Sequence, residues 1–551
     1  AAFALAMKAA ARLGRRRFLR MDAKPDICVL SDVAFTDAEM QDMAAVVGKD
    51  LVTDELRETL GQFEQAKNFG SLIVPKLRDP AETLRVVAVR DFGGDLLLKE
   101  VQERVIAVLR MAEALSPKYH VVVANPPYMG TGAMNAALKA HVGSNFARSK
   151  ADLGAVFIER CKVLCSQNAY SAMITMQGWM FLSRYEDLRH EIITNSNVIS
   201  LAHLGERAFD SIGGAVVSTA AYVLQNSPAG DLSASFVRLT DGRNEAEKES
   251  RLKRAATGDR DFLYYHRTAE FSAIPGYPIC YWLPQKTVTA FKENPLFGDR
   301  VEPRKGMVTA DNERYIRFHW ESASERIARG CPDRSTAKAT GAKWFPYNKG
   351  GERRKWYGND YHIVNWENDG KKLQHRRHPV EDRVWATNFN LDYIFKPSLS
   401  WTDITTDGLA ARLVPQGYLF DSTAWSAFDG GTKTSLGYVV AICNTKVGQY
   451  ISLVLNPTLH FTAGDFARFP LLEIDVAACE NRTERAVHVA QKDWDWSEIS
   501  ANFIKVPLLQ PDYRADTVEA TYTTLRTHWQ GMTDEMQRLE EANNRLFIDA
   551  Y

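Results

Sequence analysis

Residues 121–130 read VVVANPPYMG, a run of small and apolar side chains ending on Asn125, Pro126, Pro127 and Tyr128. Asn125 offers a side-chain carbonyl oxygen. Pro126 has no N–H, and its ring fixes the direction of its backbone carbonyl, a second acceptor. Two converging acceptors suit a planar NH₂ group with two donors, and Tyr128 supplies a flat face on which a heterocycle can stack. The amine of adenine is a poor nucleophile because its lone pair is delocalised into the ring. Hydrogen bonds from both of its protons return density to nitrogen, so that a methyl donor held in line could be attacked with no covalent enzyme intermediate. That nitrogen is inaccessible inside a duplex, so such a base must be flipped out. A bare Pro-Pro pair marks only a turn; the tetrad directly after a buried strand is more specific.

The elements around the tetrad must hold it. HVVVAN has no polar alternation until its end, as in a parallel strand covered on both faces. DICVL (26–30), YSAMITM (170–176), VISLAHL (198–204) and AVVSTAAYVLQ (215–225) read as further strands. Residues 152–164 and 184–193 have helical period, and 36–117 read as a mostly helical insertion carrying NFGSL at 68–72. This alternation indicates an α/β domain with a mainly parallel sheet, whose ligands bind beyond the carboxyl ends of strands. A length of 551 residues implies two or three domains. We expect a catalytic domain over 1–227, a connector over 228–284, a second, mixed α+β domain over 285–475 and a helical tail over 476–551. In the tail, Tyr522, Leu525, Trp529, Met532, Met536, Leu539, Asn543 and Leu546 fall on one seam. That pattern describes a coiled-coil-like helix that needs a partner, either the second domain or a helix near 484–494.

Formal net charge is zero, so any surface for nucleic acid must be local. Residues 343–378 hold nine cations, Lys343, Lys349, Arg353, Arg354, Lys355, Lys371, Lys372, Arg376 and Arg377, against four acids. Trp344, Phe345, Tyr347, Trp356, Tyr357, Tyr361 and Trp366 are interleaved with them. Basic–aromatic interleaving is the composition of a nucleic-acid surface. The competing reading is a charged loop over a local aromatic core. Seven scattered cysteines with no C-x-x-C pair suggest reduced thiols, a cytoplasmic protein and no zinc site. No apolar run is long enough to span a membrane. The opening AAFALAMKAAARLGRRRFLR is apolar first and basic last, the reverse of a secretory signal.

The tetrad after this strand resembles the catalytic motif of amino-group methyltransferases that use S-adenosylmethionine. The wider stretches VVVANPPYMGTGAMNAALKAHV, ITMQGWMFLSRYEDLR, IPGYPICYW, KWFPYNKGGERRKWYGNDYHIVNWENDG and RLEEANNRLFIDAY resemble the PglX adenine-specific DNA methyltransferases of BREX phage-defence systems. The resemblance implies part of a Rossmann-like S-adenosylmethionine-dependent sheet, a target-recognition domain over 285–475, and double-stranded DNA and other BREX defence proteins as partners. Asn125 and Pro126 would hold the adenine amine, with Pro127 completing the motif and Tyr128 stacking on the base. Phe209, in LGERAFDSIGGAVVSTAAYVL, would be a second aromatic against the flipped base, although a core Phe before a turn fits equally. In GMVTADNERYIRFHWE, Ala310 stands where the family often has glycine in T-G-D-N.

The family's Gly-rich F-x-G-x-G turn and the acidic residue that hold the methyl donor are missing. VRDFGGD has adjacent glycines, Gly93 and Gly94, too close to Asn125 to match. Asp32 is the weak remaining candidate to face the donor. We therefore expect a fragment, with the donor half-site upstream and family members continuing beyond the last residue. Two other readings stay open: a methylator of a protein glutamine side chain, whose amide is also a planar NH₂, and a defence-complex subunit that binds DNA without methylating it. No paired-carboxylate-plus-lysine nuclease pattern is present.

Overall fold

The computed structural model describes residues 2–13, 26–41, 43–48, 51–92, 95–117, 119–210, 217–403, 408–432, 434–456, 460–472 and 474–551. The chain divides into two compact units, one of residues 1–179 and 187–270, the other of 180–186 and 271–551.

In the first unit, six strands form one sheet in the order β1-β2-β4-β3-β5-β6. They are β1 (Tyr119–Ala124), β2 (Cys165–Met176), β3 (Asn197–Gly205), β4 (Thr219–Gln225), β5 (Ser233–Arg238) and β6 (Leu263–Arg267). β1 pairs with β2, and β3 with β5, in parallel; the other three pairings are antiparallel. The sheet is therefore mixed rather than mainly parallel. The chain from β3 to β4 carries no helix among its described residues, and without such a crossover β4 returns antiparallel beside β3. The expected connector is also replaced in part, because β5, helix Glu245–Ala256 and β6 extend this sheet. DICVL forms no strand, and its Ile27 and Val29 are exposed. A short apolar run without a pairing partner does not fix a strand.

One face of the sheet is packed. Met173, Leu201, Tyr222, Leu224 and Phe236 are buried there. Ile158 of helix Leu153–Leu164 and Leu188 and Ile192 of helix Glu186–Asn195 border one small cavity with Ser171 and Leu224, so both helices lie on that side. The opposite face is partly open. Ala202, Val223 and Val237 there are half-buried, and on β1 Val121 and Val123 are 60% and 75% exposed. Burial of that strand on both faces is thus not met among the described residues. The helical insertion has its own core, including Leu60, Phe63, Val87, Val105 and Leu109. It is tied to the sheet layer by Arg160, fully buried on helix Leu153–Leu164. The guanidinium donates to the carbonyls of Ser71 (2.6 Å), Ile73 (2.7 Å) and Leu115 (2.8 Å).

The second unit holds two four-stranded sheets, in the orders β13-β9-β10-β8 and β12-β11-β14-β7. Their strands are β7 (Val301–Arg304), β8 (Ile316–Phe318), β9 (Trp344–Asn348), β10 (His362–Asn365), β11 (Ser398–Thr402), β12 (Ala411–Val414), β13 (Leu419–Phe420) and β14 (Ala424–Asp429). Phe345, Tyr347, Val364, Trp366, Phe395 and Phe420 share one core. The tail is the 33-residue helix Val518–Ala550, opened by Thr517, whose hydroxyl accepts from Ala520 N. Its seam buries Leu525, Leu539 and Asn543, half-buries Trp529, Met532, Met536 and Leu546 and leaves Tyr522 exposed, while Phe547 beside the seam is buried in place of Leu546. The partner is helix Val476–Asp495, to which Arg485 and Glu535 add an ion pair. Among the described residues, no single helix is long and apolar enough to cross a membrane.

Candidate active site and nucleic-acid interface

β1, β2 and β3 all run the same way, because β4 is antiparallel to both β2 and β3. Their carboxyl ends therefore gather Asn125, Gln177 and the segment leading to Phe209 at one end of the sheet. The chain leaves β1 at Asn125 and is pinned again where Leu153 N donates to Met129 O (2.9 Å) and Thr131 N to Ala151 O (3.1 Å). Residues 125–128 thus bridge two anchored points. The Asn125 amide is exposed and has no hydrogen-bond partner among the described residues. It shares a cleft of about 700 Å³ with Val123, Ile174, Ala202, Val223 and Leu252. Pro126 is buried, Pro127 exposed and Tyr128 half-buried. The Tyr128 hydroxyl is buried without a partner among the described residues, and burial raises its pKa.

The floor behind the tetrad is not legible in the sequence. Thr175 Oγ1 shares a hydrogen bond with the buried Tyr222 hydroxyl (3.1 Å), and Trp179 packs edge-on against Tyr222 at 5.0 Å. Gln177 Oε1 lies 2.8 Å from His203 Nε2. The His203 pKa is pushed down to about 4, first by burial and then by Arg238 and Lys248, so the ring is neutral near pH 7. The one signal in the sequence is position: Gln177 lies just past the end of the strand next to β1. Phe209 is half-buried four residues beyond β3, and Asp210 after it accepts from Glu245 N. The rest of that motif, 211–216, lies outside the described residues.

Of the two donor candidates, only Asp32 lies among the described residues, and it forms no cradle. Asp32 is exposed, and its Oδ1 already accepts from Lys67 N at 2.8 Å. Gly93 and Gly94 lie outside the described residues, and Asp95 after them caps helix Leu96–Leu115. The Asn125 amide stands unpaired and no cradle for a methyl donor is formed, both among the described residues.

In the second unit the interleaved aromatics are mostly interior: Trp344, Phe345, Tyr347, Trp356, Tyr357 and Trp366 are buried, and only Tyr361 is half-exposed. Most of the nine cations are engaged locally. Lys343 sits over Trp344, Arg354 over Trp494 and Arg376 over Trp385. Lys349 pairs with Asp421, Lys355 with Glu540, Lys372 with Glu367 and Arg376 with Asp311. Arg353 and Arg377 donate to the carbonyls of Gly408 and Asp382. Of the nine, Lys371 alone has no partner of any kind for its ammonium among the described residues, and it is exposed with Lys372 and Arg377. Ala310 has a left-handed backbone, at φ 60°, a conformation that favours glycine.

Residues 62–209 match the Eco57I restriction-modification methylase family. The chain is 32% identical over its whole length to the adenine-specific methyltransferase PglX of Lacticaseibacillus casei (strain Zhang), covering 46% of that protein. It is 34% identical over 83% of its length to the adenine-specific methyltransferase BrxX of Escherichia coli O9:H4 (strain HS), covering 36% of that protein. The chain thus spans about half the length, or less, of these curated relatives. A solved structure of the type IIL restriction-modification enzyme MmeI in complex with DNA aligns with 93% of the chain and 75% of its own at a TM-score of 0.43 and 10% identity. By sequence, then, the chain is similar along most of its own length to the adenine-specific methyltransferases PglX and BrxX, and its residues 62–209 carry the restriction-modification methylase match.

Proposed function

We propose that this chain is the acceptor-binding and target-recognition part of a site-specific DNA methyltransferase. The enzyme would transfer a methyl group from S-adenosylmethionine to the N6 amine of a flipped-out adenine, in the cytoplasm, in phage defence and host DNA modification. The observation that carries the reading is the unpartnered Asn125 amide at the carboxyl end of β1, beside a half-buried Tyr128. Asn125 Oδ1 and the Pro126 carbonyl each accept one amine hydrogen, raising electron density at nitrogen where positive charge develops. Tyr128 stacks on the base and Phe209 closes on it from the end of β3. The mixed sheet is read as part of a Rossmann-like fold, and the open β1 edge is the side on which a donor-binding element would complete it. The second unit, 285–475 above all, reads DNA, with its exposed Lys371, Lys372 and Arg377 on phosphates, and other BREX defence proteins are its expected partners.

The second reading, a DNA-binding defence subunit without activity of its own, is favoured by the absence of a donor cradle among the described residues. Mapping methylated bases on DNA incubated with S-adenosylmethionine and a longer protein that joins this chain to a donor-binding segment separates the two. N6-methyladenine at one recurring sequence supports the first. Site-specific binding with no mark supports the second. A methylated cytosine, or a methylated glutamine in protein with DNA untouched, overturns both.

A further inference from the structure

With most of the aromatic run buried, flat surfaces for bases must be sought elsewhere in the second unit. Two side chains outside that run provide one. Phe318 ends β8, which pairs only with β10 and so forms an edge of its sheet. Trp320 lies two residues on, in a single 3₁₀ turn. Their rings are parallel within 8° with centroids 4.7 Å apart, and they are 39% and 51% exposed. The turn is held firmly. Phe318 N donates to Glu321 Oε2 (2.7 Å), His319 N to Tyr361 O (3.0 Å) and His319 Nε2 to Ile499 O (3.2 Å). Behind Phe318 lie the rings of His362 at 5.0 Å and Tyr361 at 6.0 Å. Arg326 and Arg329 follow in the chain, both exposed and without a side-chain partner among the described residues. Arg329 is close enough to help lower the His319 pKa, after burial.

We propose that Phe318 and Trp320 form a preformed stacking platform for a DNA base, with Arg326 and Arg329 on the adjoining phosphates. The inference rests on the DNA-reading role proposed for this unit. Exposing two large parallel rings costs solvation that an apolar core position would recover. A π-face held flat by three hydrogen bonds is what a base stacks on with little ordering cost. Two rings are far too small for a stable protein interface, which buries on the order of 1,000 Å² or more. The Arg329 guanidinium, near enough to act on His319 between the two rings, and that of Arg326 three residues earlier match the charge of a nucleic-acid backbone.

The test is fluorescence anisotropy of the full chain with a labelled duplex over a range of salt concentrations. F318A/W320A is expected to bind at least about tenfold more weakly, with an unchanged slope of log affinity against log salt, since stacking is not ionic. F318Y/W320F, which keeps two flat rings, should bind like the unmodified chain. R326A/R329A should instead flatten the slope, by roughly 0.9 for each phosphate no longer neutralised. Thermal melting checks that each variant folds, and W320A alone replaces the double variant if it does not. Unaltered affinity in F318A/W320A or W320A overturns the platform while leaving the DNA reading intact. Equal weakening in F318Y/W320F overturns stacking as its mechanism. An unmodified chain that binds no duplex overturns the DNA reading itself, and the platform with it.

Discussion

Lys355 and Glu540, 185 residues apart in sequence, meet with Nζ 2.7 Å from Oε2, and the other oxygen of Glu540 accepts from Trp356 Nε1 at 2.9 Å. Glu540 thus fastens the tail helix to the basic loop and holds Trp356, a buried residue at φ 67°. Lys355 and Glu540 are about three-quarters buried, so solvent screening of the pair is incomplete. We expect Glu540→Ala to lower unfolding stability by about 1–3 kcal/mol, read from the urea midpoint. Lys355→Ala should act mainly on stability too, with little change in DNA affinity. A large loss of affinity at unchanged midpoint would return Lys355 to the phosphate-binding set.

Asn125→Ala should slow methyl transfer by about a hundredfold or more, equivalent to roughly 3 kcal/mol, while DNA affinity stays nearly constant. The exposed Asn125 amide supports no internal hydrogen bond among the described residues, so the fold has little to lose there. Single-turnover kinetics in a methylating preparation, beside a binding assay, reads the two effects apart. Near-normal turnover would remove the catalytic role.

Ala310→Gly should stabilise the protein by about 1 kcal/mol. An alanine in the left-handed region carries a steric cost that glycine does not, and here that exceeds glycine's entropic penalty. A rise in melting temperature checks it; a fall would mean that the alanine methyl makes packing interactions worth more than the strain.

His203 and His362 both have pKa values pushed down to about 4, chiefly by burial. Each is neutral when folded and binds a proton more readily when unfolded. Their contribution to stability is therefore complete above the unfolded value near 6.5 and declines as pH falls from there toward about 4. Denaturant midpoints should drop across that window, and His203→Gln should make the curve shallower. A flat profile between pH 7 and 5 would contradict the burial of both rings.

Calorimetry should detect no useful affinity of this chain for S-adenosylmethionine, because Asp32 is already committed to Lys67 N and no Gly-rich cradle is present among the described residues. Micromolar binding would show that another segment does the holding.

The tetrad is legible in the sequence because two prolines after a valine run punctuate the chain by local chemistry alone, and the tail helix because its seam repeats with helical period. What stays hidden is non-local. Nothing near Lys355 in sequence announces Glu540, so a cation committed to structure looks the same as one available to DNA. Interleaved aromatics read as surface until β9 and β10 are seen to turn Trp344, Phe345, Tyr347 and Trp366 into core. Phe318 and Trp320 escape notice because the chain leaves β8 for a 3₁₀ turn between them, so no strand period relates the two rings or says whether anything covers them. The place of β4 between β2 and β3 depends on pairing that no local pattern encodes.

The open side of β1 has a practical consequence. Valines 60% and 75% exposed, on a strand hydrogen-bonded along one edge only among the described residues, make an adhesive rim. Backbone donors and acceptors there are ready to accept any extended peptide, and a second copy of the same rim is the commonest peptide in a concentrated solution. Handled by itself, the polypeptide should therefore tend to clump through β1, and replacing Val121, which does not line the cleft of Asn125, with lysine should keep it dispersed.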